Sequence, residues 1–293
     1  MHTYLRAIGF GQQPSSEYEM EQLLDNLFHT YDERKVVKLE TGKAMYELSR
    51  SFGPHMGIRV CGEVDGFGFH RQYYYPYLEG RSETTDQNVI INARTDGAGF
   101  IGEAEDGRVD ISLIFYLQNP ADYLQNSFMG YLADKPITTT ITGLSSGGMI
   151  LLPGKSERQG TYREERKDYY RRHEQMVTAA KNGSEEAIES LTMEDMDIYA
   201  MISRRVLHED VLSIVDTYFM PYGMESDQYQ ILGTILFYTK VRNSITREYV
   251  YQMTVDCNGM LIDVCINEQD LYGDPEEGRR FKGNIWLQGR LNL

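Results

Sequence analysis

The sequence predicts an α+β protein made of two mainly antiparallel sheet subdomains joined by a helical segment. Three observations carry that expectation. Residues 34–153 hold short runs of β-branched and aromatic residues broken by Gly and Asp, residues 161–207 are patterned as helix, and strands return from residue 210. The chain therefore divides into an N-terminal α+β segment, 1–160, a helical connector, 161–209, and a C-terminal antiparallel β segment, 210–293. A length of 293 residues exceeds the usual single domain and fits two compact units.

The first segment opens on one amphipathic helix. Ser16 and Glu19 have capping-box spacing, and Met20, Leu23, Leu24, Leu27, Phe28 and Tyr31 recur at intervals of three and four. Strand-like runs follow at Val36-Val37-Lys38-Leu39, Ile58-Arg59-Val60, 69–77 and Val89-Ile90-Ile91. A two-residue loop at Asp106-Gly107 would pair Ala104 with Val109, Gly102 with Ile111 and Phe100 with Leu113. Pro120 to Leu124 has the form of a short helix with Pro in its first turn. Residues 137–141 and 149–152 then predict a second hairpin around the Gly- and Ser-rich string 143–148.

The connector starts with the charged run 163–173 and breaks at Asn182-Gly183, with Ser184 and Thr192 as caps for two further helices. In the last segment Asn258-Gly259 has the chemistry of a type I′ turn, which pairs Cys257 with Met260. The register then sets Val255 opposite Ile262, Met253 opposite Val264 and Tyr251 opposite Ile266 on one face. On the other face Thr254 meets Asp263 and Gln252 meets Cys265. A final strand spans 280–289, and the strand order fits a small partly open barrel or a plain meander.

A formal charge of −15 repels phosphate backbones and anionic headgroups, so nucleic acid is disfavoured as a partner. No run approaches the roughly 18 apolar residues that span a bilayer. The opening Met1-His2-Thr3-Tyr4-Leu5-Arg6 also lacks signal-peptide order. Cys61, Cys257 and Cys265 are too few for a disulfide framework or a four-thiolate zinc site, which fits a reducing compartment and a cytoplasmic location.

Several strings resemble a bacterial family of conserved hypothetical proteins catalogued as a domain of unknown function. They are Leu5-Arg6-Ala7-Ile8-Gly9-Phe10, Met201-Ile202-Ser203-Arg204-Arg205, Asp256-Cys257-Asn258-Gly259, Asp263-Val264-Cys265-Ile266-Asn267, and Gly278-Arg279-Arg280-Phe281-Lys282-Gly283 running into Ile285-Trp286-Leu287-Gln288-Gly289. The resemblance implies a bacterial, cytoplasmic protein whose two halves occur together, and it assigns no catalytic or ligand residue.

Short motifs point to chemistry only if their structural context is right. Gly97-Ala98-Gly99-Phe100-Ile101-Gly102 matches a dinucleotide fingerprint as a string, but a strand rather than a helix is predicted after it. Gly143-Leu144-Ser145-Ser146-Gly147 matches a nucleophile elbow, with His70, His173 or His208 as candidate bases for Ser145, yet again a strand follows. Asp256, Asn258 and Asp263 lack the alternating donors and terminal Glu of a calcium loop. Glu194, Asp195 and Asp197 are read as acidic residues at a helix start, and His208-Glu209-Asp210 as loop surface.

Arg163, Arg166, Lys167, Arg171 and Arg172 could face an anion, but Glu164, Glu165 and Asp168 are interleaved with them and favour a solvated helix with internal pairs. In the cluster Tyr73-Tyr74-Tyr75 with Tyr77, alternation along a strand sends neighbouring rings to opposite faces, so they cannot all share one surface. In the tail, Arg279, Arg280, Lys282 and Trp286 are the residues a single-strand nucleic-acid groove would need, with Glu276 and Glu277 just before them.

No nucleophile, metal or cofactor motif sits in its proper context. The expected function is a noncatalytic binding or regulatory protein with a protein or small-molecule ligand, with no cofactor and no assigned catalytic residue. The alternative is a hydrolase-like enzyme whose site is assembled only in the fold.

Overall fold

The computed structural model describes residues 2–12, 14, 16–39, 43–66, 68–81, 83–85, 89–106, 108, 111–128, 137–153, 162–205 and 211–293. A short 3-10 helix, Thr3–Ile8, starts the described chain, capped by the His2 side chain. Helix α1, Glu17–Thr30, follows, with the Ser16 side chain accepting from the Glu19 N–H at 3.2 Å as its spacing predicts. It buries Met20, Leu24 and Leu27.

The first sheet is an antiparallel meander of β1 (Glu33–Lys38), β2 (Ala44–Gly53), β3 (Met56–Asp65) and β4 (Gly68–Leu78), in that order. Period-two alternation decides its faces. Tyr73, Tyr75 and Tyr77 of β4 are buried together, and Tyr74 points the other way and stays half-buried.

The larger sheet is mixed and takes strands from both sides of the helical segment. From the first come β5 (Val89–Ala93), β6 (Phe100–Asp106), β7 (Ile111–Leu117) and, after α2 (Pro120–Phe128), β8 (Thr138–Leu151). Beyond α3 (Tyr162–Lys181), α4 (Glu185–Arg205) and the short α5 (Val211–Ile214) come β9 (Tyr218–Pro221), β10 (Gln228–Arg242), β11 (Tyr249–Cys257), β12 (Met260–Asn267), β13 (Leu271–Tyr272) and β14 (Arg280–Asn292). The order is β13-β8-β12-β11-β10-β14-β7-β6-β5, with β9 on β10 and a further β8–β14 pairing. Because β8 pairs with both β12 and β14, the strands β8, β12, β11, β10 and β14 form a partial ring rather than a closed barrel.

The Asn258-Gly259 hairpin has the expected register at every predicted pair, from Cys257 opposite Met260 to Tyr251 opposite Ile266. Asn258 at φ 55° and Gly259 at φ 79° take the left-handed conformations this turn requires. Four local expectations are corrected. After Asp106 the loop is longer than two residues, so Ala104 pairs with Leu113 and Gly102 with Phe115. Asp106 binds the backbone N–H and guanidinium of Arg108 at 3.0 and 2.8 Å, which organises the wider turn.

No second hairpin forms at residues 143–148. β8 runs straight through, because β12, β13 and β14 pair with its two edges, and Gly148 leaves space for the Phe281 ring, which lies 2.5 Å from where a Cβ would sit. Thr192 is not a cap but lies inside α4, donating to the Ile188 carbonyl at 2.7 Å. Glu194, Asp195 and Asp197 are consequently mid-helix rather than at a helix start.

The two sheets share a core. Ile58, Val60 and Tyr75 of the first pack in one cluster with Tyr116, Leu144 and Trp286 of the second. Polar side chains cross the junction: Gln118 donates to the Leu78 carbonyl at 2.8 Å and to Gln288 Oε1 at 2.8 Å, and Gln288 donates to the Pro76 carbonyl at 2.8 Å. Arg59, 3% exposed, lies over the Tyr77 ring at 4.3 Å and beside Glu47 at 3.8 Å. All three cysteines are buried and none is in a disulfide. No described helix is long and apolar enough to cross a membrane.

Candidate functional site

At the edge of this shared core lies a cleft of about 320 Å³. Six parts of the chain build it: the capped N-terminal turn, β4, the β5–β6 loop, β7, the β9–β10 connection with the start of β10, and β14. Its base is aromatic. Trp286, 4% exposed, has Tyr4 stacked on it at 5.3 Å between centroids, His2 at 4.7 Å and Tyr116 at 5.0 Å.

The antiparallel register of β10 on β14 sets Gln228 opposite Trp286, which brings Asp227 beside the indole. Trp286 Nε1 donates to Asp227 Oδ2 at 2.8 Å, and the Asp227 carbonyl accepts from the Leu287 N–H at 2.8 Å. A buried indole N–H needs an acceptor, and Asp227 supplies it. Arg94 approaches the same oxygen at 3.6 Å. Arg94 itself is held by a two-pronged pair with Asp96 at 3.2 and 3.0 Å, and Asp96 also accepts from the Ala98 N–H at 2.9 Å. Gly97 at φ 71° and Gly99 at φ 113° fold this loop, and Gly99 has no room for a side chain against the Tyr116 hydroxyl.

The electrostatics differ from one carboxylate to the next. Burial raises the Asp227 carboxyl above the usual range, although the Trp286 hydrogen bond and Arg94 oppose the shift. The Arg94 and Ala98 hydrogen bonds lower Asp96 instead. His2 is pushed down to about 4, mainly by burial and then by the positive charges of the N-terminus and Arg94, so its imidazole is neutral at pH 7. Its Nδ1 accepts from the Tyr4 N–H at 3.4 Å, which leaves the proton on Nε2. Burial and then Asp227, Tyr222 and Glu225 raise the Tyr4 phenol to about 12.

Of the motifs weighed in the sequence, the Gly97-Ala98-Gly99 string reaches this cleft through Ala98, but β6 follows it, as expected, rather than a helix whose N-terminus would meet a pyrophosphate. Ser145 is buried in β8 and donates to the Asn284 and Gly147 carbonyls at 2.9 and 3.1 Å. His70 lies on β4, bonded to Asp65 at 2.9 Å, and His173 lies on α3, so neither shares an element with Ser145. His208, with Glu209 and Asp210, lies outside the described residues.

Protein donors occupy the other acidic set. Gly259 N–H reaches Asp256 at 2.8 Å, Thr217 reaches Asn258 at 2.5 Å, and Thr254 and the Arg81 N–H reach Asp263 at 2.6 and 2.7 Å. No group of three or more His, Cys, Asp or Glu suited to a metal occurs among the described residues. On α3 Arg171 pairs with Asp168 at 2.5 Å, in line with a solvated helix; the side chains of Arg163, Arg166 and Lys167 lie outside the description.

In the tail, Arg280 is buried and spends its guanidinium on the Leu152 and Val215 carbonyls at 2.9 and 3.0 Å, Arg279 pairs with Glu276, and Trp286 faces Asp227. They do not line one groove.

Sequence patterns gave no warning of His2, Tyr4, Arg94, Asp96, Glu225 or Asp227 as a group. The one available signal was Trp286, the sole tryptophan of the chain, whose N–H must find a partner when buried.

A family described as "Domain of unknown function, E. rectale Gene description" (DUF3881) matches residues 5–289. The chain belongs to the DUF3881 family. The resemblance to an uncharacterised bacterial family is therefore borne out, and the DUF3881 match contains Arg94, Asp227 and Trp286, whereas His2 and Tyr4 precede it. No curated protein and no solved structure matches the chain significantly.

Proposed function

We propose that this DUF3881 protein is a noncatalytic binding protein of the bacterial cytoplasm that takes a small molecule into the Trp286–Asp227 cleft. One observation carries the reading: a carboxylate whose side chain is 4% exposed is held between an indole N–H and a guanidinium at the base of an aromatic-walled cleft. Burying such a group is costly in a fold that has no use for it, and concave sites with a few convergent polar groups are the usual form of ligand sites. The buried thiols, none of them in a disulfide, support the location.

A hydrolase-like reading is favoured by one feature, the opposite displacement of Asp227 and Asp96, since carboxyls with divergent pKa values can divide acid and base roles. Binding is preferred because Asp96 is committed to Arg94 and the Ala98 N–H, and no nucleophile lies among the cleft's described side chains beside a free base.

The test is thermal unfolding of the native protein and of Tyr4→Ala and Asp227→Asn against a panel of nucleotides, sugars, amines and organic acids. A ligand at about 100 times its Kd adds about 2.7 kcal/mol, and the expected result is a melting shift that both substitutions reduce. Shifts untouched by either substitution, or a flat panel, overturn the reading. Turnover of a bound compound that Asp227→Asn abolishes while binding persists would establish the enzyme instead.

A further inference from the structure

Resting on that reading of the cleft, we propose that its ligand is a compact organic cation bearing a primary ammonium group. The cleft holds three carboxylates, Asp96, Glu225 and Asp227, against one guanidinium, Arg94. Arg94 is spent mainly on Asp96, at 3.0 Å in its closer prong, and stands 3.6 Å from Asp227. Among the lining side chains the formal balance is therefore two negative charges beyond the Arg94–Asp96 pair. His2 does not offset them, because burial keeps its imidazole neutral at pH 7 and its Nδ1 already accepts from the Tyr4 N–H.

Oxygen acceptors and aromatic faces together suit an ammonium ion. Its three N–H groups need acceptors, and a ring face attracts its charge. Trp286 and Arg94 both address Asp227 Oδ2, which leaves Oδ1, shared at most with the residue's own backbone N–H, as the acceptor for an ammonium. Glu225 is exposed at the mouth. Tyr4 stands between them: its hydroxyl feels the charges of Asp227 and Glu225, and its half-buried ring borders the cleft.

Other ligand classes fit less well. A phosphate or carboxylate would enter against three carboxylates, and the Ala98 N–H, which could have received it, is given to Asp96 at 2.9 Å. A hard metal ion needs several oxygen ligands in one sphere, and no metal-suited cluster occurs among the described residues. The volume, about 320 Å³, is at the small end for ligand sites and calls for a compact molecule. The net charge of −15 draws cations toward the surface as a whole.

Trp286 is the only tryptophan, so its selectively excited emission reports on this cleft alone. The full chain is titrated with butylammonium chloride, butanol and sodium butyrate at matched ionic strength. Butylammonium is expected to give a saturable change in emission, with butanol and butyrate at least about tenfold weaker, and with affinity falling as salt is raised. Replacing a charge-assisted acceptor by an amide should weaken butylammonium about tenfold or more in Asp227→Asn. Glu225→Gln, at an exposed position that does not threaten the fold, should weaken it severalfold.

Butanol or butyrate binding as tightly as butylammonium, or a butylammonium response that neither variant changes, overturns the cation assignment. If none of the three probes binds while another compound is held by the cleft, as its loss in Tyr4→Ala would show, the cation assignment fails and the binding reading stands. If no compound of any class depends on the cleft residues, both fail.

Discussion

Trp286 Nε1 and Asp227 Oδ2, 59 positions apart in sequence, meet at 2.8 Å and fix the β9–β10 connection to the last strand. Trp286→Phe keeps an aromatic body in the cleft but removes the donor, leaving a buried carboxylate oxygen short of a partner. The expected cost is about 1–3 kcal/mol in urea unfolding followed by far-UV circular dichroism. An unchanged midpoint would mean that the bond adds nothing to stability.

The same carboxyl gives a pH dependence with a definite sign. Its folded-state pKa lies above the unfolded value near 3.8, so the folded chain holds this proton more tightly than the unfolded one. The stability it contributes is full below the unfolded pKa and is lost as pH rises through the folded pKa. Native protein should therefore lose stability relative to Asp227→Asn as pH is raised from about 4 towards neutrality, measured as the difference between their unfolding free energies at each pH. A difference that stays flat across that range, or runs the other way, contradicts the shift.

Arg59 and Glu47 are each 3% exposed, and burial raises the Glu47 carboxyl even with the Arg59 charge working against it. Arg59→Met strands Glu47 and is expected to cost about 3–5 kcal/mol in chemical denaturation. Adding Glu47→Met should restore much of that loss, because an apolar pair needs no charge compensation. A double variant as unstable as the single one would place the cost in the lost Arg59 bonds to the Gln118 carbonyl and Glu79 instead.

Gly259 sits at φ 79° in the β11–β12 turn. Gly259→Val imposes a β-branched side chain on a left-handed conformation and should destabilise by roughly 1–2 kcal/mol, read from the denaturation midpoint. Gly66 has open space around it and no such φ, so Gly66→Ala serves as the comparison expected to change little.

The features legible in the amino-acid order are local. Turn chemistry at Asn258-Gly259 fixed the β11–β12 register, and alternation in β4 separated Tyr74 from Tyr73, Tyr75 and Tyr77, because neighbouring residues carry that information. Where local signals were degenerate they misled. The actual β6–β7 register is displaced from the two-residue-loop one by an even number of residues, so the same side chains face the core and alternation could not tell the two apart. The Gly-Ser string in β8 has turn composition, yet hydrogen bonding along both edges holds it extended. The cleft, by contrast, exists only through long-range packing. Tyr4, Arg94, Asp227 and Trp286 have no spacing to detect, and what joins them is the packing of a capped N-terminal turn and one loop against the β10–β14 pair, a long-range arrangement that no window of sequence contains.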